Sequence, residues 1–183
     1  MVAMAETIDE LLVGQFNRGD ESAFDRIVER YATDVAALAN RLLGWPGDVE
    51  DVTQDVFLAA FLGLKRFRCD CSLKTWLFTI TINKCRSYRY KRKLRRLQTI
   101  GIEMRPPPAV TDTSLMDEEQ FMRVRHVLAR LPAKYREPLV LRYLQELPTM
   151  EIVRILDVSR NTLNVRLSRA RDYLRQELTP LIE

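Results

Sequence analysis

Apolar residues in the first half of the chain recur at intervals of three and four, which is the period of an amphipathic α-helix. The longest such stripe predicts a helix that is capped by Asp20 and ends near Leu43, with Gly44 in a left-handed C′ position. Its apolar members are Phe24, Ile27, Val28, Tyr31, Val35, Leu38, Ala39 and Leu42. Three further patterns predict helices over residues 8–16, 48–64 and 73–93. No alternating strand pattern of useful length is present.

Residues 97–113 interrupt this patterning. The run Arg105-Pro106-Pro107-Pro108 excludes a helix, and its flanks are short, polar and without periodicity. Helical patterning resumes afterwards in four pieces, over residues 114–130, 133–145, 148–156 and 159–178. The sequence therefore predicts an all-α fold in which two small helical domains, residues 1–96 and 114–183, are joined by a flexible linker at 97–113.

The last two predicted helices have the pattern of a helix-turn-helix unit. A short helix is followed by Asp157-Val158 and then by Ser159, which can cap a longer basic helix. The turn of such units usually holds glycine in a left-handed conformation, which Asp tolerates better than most residues do. Three residues of the second helix lie one turn apart, near the end that meets base edges: Arg160, Asn164 and Ser168. A basic surface helix of an ordinary bundle is the alternative interpretation.

Charge is distributed unevenly along the chain, although the net charge is only +4. Residues 1–70 contain 13 acidic and 7 basic residues, whereas residues 84–96 contain eight basic residues and no acidic one. Tyr88 and Tyr90 lie between those bases, and aromatic rings can stack on nucleobases. The basic block therefore favours nucleic acid as a partner, with an acidic protein, an anionic membrane and a solvated face as alternatives.

Membrane proteins, secreted proteins and enzymes are not expected. No run approaches the ~18 uncharged apolar residues of a membrane helix, and the acidic N-terminus is unlike a signal peptide. No phosphate-binding glycine loop and no nucleophile paired with a base can be identified, so neither catalysis nor a cofactor is predicted. Cys69, Cys71 and Cys85 are expected to be plain reduced thiols, with a zinc site and a redox sensor as the alternatives. A zinc site lacks a fourth ligand, because the single histidine, His126, lies in the other predicted domain.

Several stretches, in the expected order, match one protein family. Asp48-Val49-Glu50-Asp51-Val52-Thr53-Gln54-Asp55-Val56-Phe57 resembles the second conserved region of bacterial sigma factors. Phe67-Arg68-Cys69-Asp70 and Lys74-Thr75-Trp76-Leu77 resemble the segment that reads the −10 promoter element. The stretches beginning at Leu131-Pro132, Glu151-Ile152 and Thr162-Leu163 resemble the domain that reads the −35 element. The short linker and the missing third domain are similar to those of the extracytoplasmic-function (ECF, group IV) sigma factors.

The resemblance implies a division of labour among the matched residues. The surface that docks on RNA polymerase would contain Asp51, Gln54, Asp55 and Phe57. The −10 element would be opened and held by aromatic faces, an amide and phosphate-binding bases: Phe67, Trp76, Asn83, Lys84, Arg86, Tyr88, Arg89, Lys91 and Arg92. By periodicity alone, Trp76 fits a helical core better than a DNA wedge. The −35 element would be read by Ser159, Arg160, Thr162, Asn164, Arg166, Ser168, Arg169 and Arg171.

Two residues of the recognition helix depart from the family pattern. Members of the group often have a basic residue where Asn164 stands and a small hydroxyl where Val165 stands. An unusual −35 sequence is therefore expected.

The resemblance also implies partners and a location. The expected partners are core polymerase (through the β′ clamp helices and the β subunit), promoter DNA and a membrane-anchored anti-sigma factor, with no small-molecule substrate. The chain would act in the cytoplasm, at the nucleoid when active and at the inner membrane when sequestered. A self-sufficient dimeric helix-turn-helix regulator and an acidic-partner interaction module are the competing hypotheses. The acidic motif at 48–57 favours the sigma factor, since a dimeric regulator would not need it.

Overall fold

The computed structural model describes residues 2–44, 48–98, 127–128 and 130–178. The N-terminal half contains four helices, α1 (Val2–Asn17), α2 (Ser22–Leu43), α3 (Val49–Gly63) and α4 (Leu73–Gln98), with a 3₁₀ turn at Leu64–Arg66. The C-terminal half contains α5 (Ala133–Leu139), which continues as a π-helical turn (Val140–Leu144), then α6 (Thr149–Leu156) and α7 (Arg160–Leu178). These described segments contain no strand, and the predicted all-α fold is confirmed.

The helix ends follow local signals in the sequence. Gly44 ends α2 in the left-handed conformation (φ 83°) and donates its N–H to the Asn40 carbonyl, as predicted. Asp20 accepts hydrogen bonds from both the backbone and the hydroxyl of Ser22, so it caps the first turn. The sequence predicts a helix over residues 73–93, but α4 runs to Gln98 because no helix breaker follows residue 93 within this stretch. The rest of the predicted linker, most of the 114–130 helix and His126 lie outside the described residues.

The four N-terminal helices pack around one apolar core. The ring of Phe24 makes edge-on contacts with Phe57 and Phe61, at centroid distances of 6.5 and 5.1 Å. The weakly patterned α1 belongs to this core, because Tyr31 of α2 donates a hydrogen bond of 2.6 Å to Asp9 of α1. Arg30 of α2 also forms an ion pair with the Asp9 carboxylate. Helix α1 is therefore fixed to α2 by a buried polar contact as well as by apolar packing.

The two predicted domains share part of this core. Val140, Leu141, Ile152 and Ile155 of the C-terminal half are buried in the same apolar cluster as α2 and α4. A smaller cluster joins α5 to α7 through Leu128, Leu131, Leu139 and Ala170. The halves are therefore in direct contact in this structure. None of the described helices is both long and apolar enough to cross a lipid bilayer.

Candidate functional site

One face of α3 is acidic at its start and apolar at its end. Asp51, Gln54 and Asp55 are exposed, and a docking surface requires that they be so. Leu58 and Leu62 follow on the same side and are 59% and 71% exposed. Helical geometry places the five side chains within an arc of about 100°. We call this stripe the α3 face.

Phe57 lies behind the α3 face, whereas Leu58 and Leu62 lie on it. Phe57 was assigned to the docking surface, but it is 8% exposed and packs against Phe24, so it supports α3 from behind. Leu58 and Leu62 were not assigned, because apolar residues on a helix are expected in the core. Contiguous apolar side chains that are rimmed by polar residues are typical of an interaction surface.

The candidate −10 aromatic residues form a pair between the 3₁₀ turn and α4. The rings of Phe67 and Trp76 lie 5.0 Å apart between centroids, and both residues are half-buried. The Trp76 ring also lies against Gly63, where an added Cβ atom would approach its Cζ2 to 3.3 Å. Trp76 is thus partly core and partly accessible, which lies between the two interpretations of the sequence.

Several of the candidate −10 residues make hydrogen bonds within the protein, and Arg86, Tyr88 and Arg89 are among them. Arg86 donates from Nε and Nη2 to the two carboxylate oxygens of Glu137, at 2.9 and 2.6 Å. This contact raises the pKa of the Arg86 guanidinium. Tyr88 donates to Asp48 at 2.5 Å, and Arg89 donates to the Leu42 carbonyl at the end of α2.

The remaining −10 candidates lie along α4. Asn83 and Lys91 are exposed, and Arg92 is half-buried. Lys84 is half-buried, and its Nζ lies 3.9 Å from Asp55 on the α3 face. The candidate polymerase and −10 surfaces are therefore adjacent.

The helix-turn-helix unit has the predicted turn. Asp157 ends α6 in the left-handed conformation (φ 51°), at the position where glycine is usual. Ser159 then caps α7, because its hydroxyl accepts a hydrogen bond of 3.1 Å from the Thr162 backbone. The Thr162 hydroxyl lies 2.9 Å from the same Ser159 oxygen. Ser159 and Thr162 thus fix the start of the recognition helix.

The other candidate −35 residues occupy the outer side of α7. Arg160, Asn164, Ser168, Arg169 and Arg171 are exposed, whereas Arg166 is half-buried. The Arg169 guanidinium donates a long hydrogen bond to the Tyr135 hydroxyl, and this contact lowers the pKa of Tyr135.

The helix-turn-helix unit lies against the start of α4 and the loop that precedes it. Thr75 donates a hydrogen bond of 3.0 Å to Glu151 of α6, and Arg154 donates to the Asp70 carbonyl. A cleft of about 890 Å³ lies between this loop and the helix-turn-helix unit, and its lining includes Cys69 and Cys71. The start of α4 and the helix-turn-helix unit therefore meet at one interface, which the sequence did not predict.

The cysteines are protonated thiols at neutral pH. Burial raises the pKa of Cys69 and Cys71, and it raises that of Cys85 to about 12. Within the described residues, no cluster of three His, Cys, Asp or Glu side chains could hold a metal ion.

Comparison with known proteins agrees with the arrangement of the two halves. The family model for Sigma-70 region 2 matches residues 27–96, and that for Sigma-70 region 4 matches residues 121–174. The ECF RNA polymerase sigma-E factor of Escherichia coli K12 is 32% identical, across 95% of this chain and 96% of its own length. The ECF RNA polymerase sigma factor SigW of Bacillus subtilis is 29% identical, across 92% and 96%.

Solved structures give the same result. CnrH in complex with the cytosolic domain of CnrY matches with a TM-score of 0.71 and 29% identity, covering 94% of this chain and 98% of that one. The sigma factor RpoE of Bartonella quintana, in complex with the anti-sigma factor NepR, matches with a TM-score of 0.71 and 25% identity, covering 85% and 96%. The chain belongs to the ECF RNA polymerase sigma factors, which are DNA-binding transcription initiation factors and not enzymes.

Proposed function

We propose that this sigma factor binds the β′ clamp helices of core RNA polymerase through the α3 face. The observation that carries the proposal is the combination of exposed carboxylates with the exposed side chains of Leu58 and Leu62. The carboxylates attract a basic partner helix, and the leucines supply apolar area that only a bound partner can cover. A dimeric helix-turn-helix regulator would have no use for this face.

In this proposal α4 holds the −10 element and α7 reads the −35 element. The Phe67–Trp76 pair offers an aromatic surface to an unstacked base, and Asn83 offers both a donor and an acceptor. The exposed bases of α7 contact phosphate oxygens and base edges, and the β subunit supports this half of the chain. Arg86 can reach a phosphate only after it leaves Glu137.

A pair of charge reversals tests the docking surface. We expect Asp51→Lys with Asp55→Lys to lower affinity for core polymerase more than tenfold, because both substitutions invert the charge of the α3 face. The matched control is Asp25→Lys with Glu29→Lys, since these exposed residues of α2 have the same spacing and give the same change in net charge. The two double variants are compared by co-purification with core enzyme and by run-off transcription. Equal loss in both would contradict the assignment.

The DNA assignment predicts the opposite pattern. Arg166→Ala or Arg169→Ala should weaken binding of the holoenzyme to promoter DNA and leave core binding unchanged, because both residues lie on α7, away from the α3 face. Loss of core binding in these variants would overturn the division of labour.

We further propose that an anti-sigma factor regulates the chain. The solved relative RpoE is bound to the anti-sigma factor NepR, and CnrH is bound to the cytosolic domain of CnrY. A cytosolic helical segment of a membrane-anchored protein would cover the α3 face and hold the chain at the inner membrane; on release, the chain acts in the cytoplasm at the nucleoid. Competition between that segment and core polymerase is the expected result. Simultaneous binding of both to one molecule would exclude the shared surface.

A further inference from the structure

The recognition helix carries one exposed aliphatic side chain where polar residues surround it. Val165 is 50% exposed and is the large apolar residue that the described part of α7 leaves in solvent. Its neighbours one turn away on either side are exposed and polar: Asn161, Thr162, Ser168 and Arg169. Valine is a poorer helix former than alanine, so this residue does not stabilise the helix from an exposed site.

The packing of α7 fixes the direction of Val165. Leu163 and Ala170 are fully buried and set the inner side of the helix. At 100° per residue, Val165 lies about 200° from Leu163 and about 140° from Ala170, so it points away from the core. The neighbouring Val158 and Leu167 pack against the apolar core, whereas Val165 does not. The Ser159 cap holds the first turns of α7 in place beneath it.

The chemistry of the major groove selects a partner for such a side chain. An isopropyl group has no donor or acceptor, and it would dehydrate the polar edge of adenine, guanine or cytosine without replacing the lost hydrogen bonds. Thymine alone presents an apolar group in the major groove, its C5 methyl. We propose that Val165 is a specificity residue that reads one thymine methyl in the −35 element. The inference rests on the proposed function of α7 and adds the base that this position selects.

Deoxyuridine provides the test, because it lacks only the C5 methyl and keeps the Watson–Crick pairing of thymine. A −35 sequence is first selected with the full chain in holoenzyme from a randomised promoter library. Each thymine in that sequence is then replaced by deoxyuridine, one at a time, and binding is measured at fixed salt. Loss of one buried methyl contact should weaken binding about three- to fivefold at a single position.

The variant Val165→Ala isolates the residue. We expect it to abolish the penalty at that one position and to bind the thymine and deoxyuridine promoters equally. The control Arg171→Ala should weaken binding to every duplex and retain the penalty, because a guanidinium on a phosphate reads no base. Circular dichroism of the Val165→Ala protein shows whether it keeps the helix content of the wild type.

The outcomes distinguish a failure of this inference from a failure of the proposed −35 recognition by α7. A position-specific penalty that disappears in Val165→Ala supports it. A wild-type holoenzyme that selects a −35 sequence but shows no penalty at any thymine refutes it, as does a penalty that persists in Val165→Ala. A holoenzyme that selects no −35 sequence refutes the proposed function of α7, and the inference with it.

Discussion

Removing the charge of Glu137 should weaken the contact between the two halves of the chain. The Glu137 side chain is only 5% exposed, and it accepts two hydrogen bonds from Arg86 at 2.9 and 2.6 Å. The substitution Glu137→Gln keeps the shape, loses the ion pair and leaves one guanidinium hydrogen bond without an acceptor. Hydrogen bonds to charged groups contribute about 1.5–3 kcal/mol each. We expect the lower end, about 1.5 kcal/mol, because the Arg86 side chain is 41% exposed and water can solvate it.

That free energy belongs to the contact between the halves. A loss of about 1.5 kcal/mol lowers the ratio of docked to undocked molecules about tenfold. Single-molecule energy transfer between dyes on α2 and α7 measures this ratio directly. The matched control is Asp34→Asn, which removes the 2.6 Å ion pair to Lys74 within the N-terminal half and should leave the distance between the dyes unchanged.

A double-mutant cycle with Arg86→Ala tests the cause. If Arg86 and Glu137 act as a pair, the two substitutions together should cost less than the sum of the single ones. Strict additivity, or a Glu137→Gln protein whose halves stay docked as in the wild type, would refute the reasoning.

Three further predictions concern the N-terminal core, the turn of the helix-turn-helix unit and the thiols. The hydroxyl of Tyr31 donates to buried Asp9, and burial raises the pKa of Tyr31 to about 12. The free energy of unfolding should therefore be unchanged up to pH 10 and fall between pH 10 and 12. The substitution Tyr31→Phe should remove this fall in urea titrations, and it should lower the free energy of unfolding by about 1–3 kcal/mol at pH 7. Asp157→Gly should keep or raise the melting temperature, and Asp157→Val should lower it, because residue 157 has φ 51° and a β-branched side chain is strained there. A thiol reagent should modify exposed Cys69 rapidly in native protein and reach Cys85, 3% exposed, only on unfolding; equal rates would show that the core around Cys85 opens freely.

Local signals in the sequence were sufficient for most of the elements and for several of their ends, although α1 and α4 are longer than predicted. The stripe of α2, the left-handed Gly44, the Ser159 cap and the αL turn at Asp157 each depend on residues within a few positions of one another. Such contacts form in the same way wherever the helix later packs, so periodicity and capping chemistry describe them well.

Features that depend on distant residues could not be read in the same way. Glu137 has no signal that marks it as the partner of Arg86, since 50 residues separate them in the sequence. The exposure of Leu58 and Leu62 is also invisible to periodicity, because an apolar stripe looks alike whether the chain or a partner covers it. The burial of Phe57 could not be predicted either, because its place in the acidic motif says nothing about the ring of Phe24 behind it.

If the two halves bind the two promoter elements as proposed, the hydrogen bond between Thr75 and Glu151 makes promoter affinity a property of the whole chain. Two promoter elements centred about 25 base pairs apart lie about 85 Å from each other along the duplex. The 28 residues between Gln98 and Val127 can span at most about 100 Å, which is enough. One molecule bound to both elements cannot also keep Thr75 and Glu151 within 3.0 Å. Breaking that contact costs free energy, which makes binding to DNA weaker. The measured affinity is therefore proportional to the fraction of molecules in which Thr75 and Glu151 are already apart. Selection for a weaker or a stronger promoter response can thus act on residues that never touch a base.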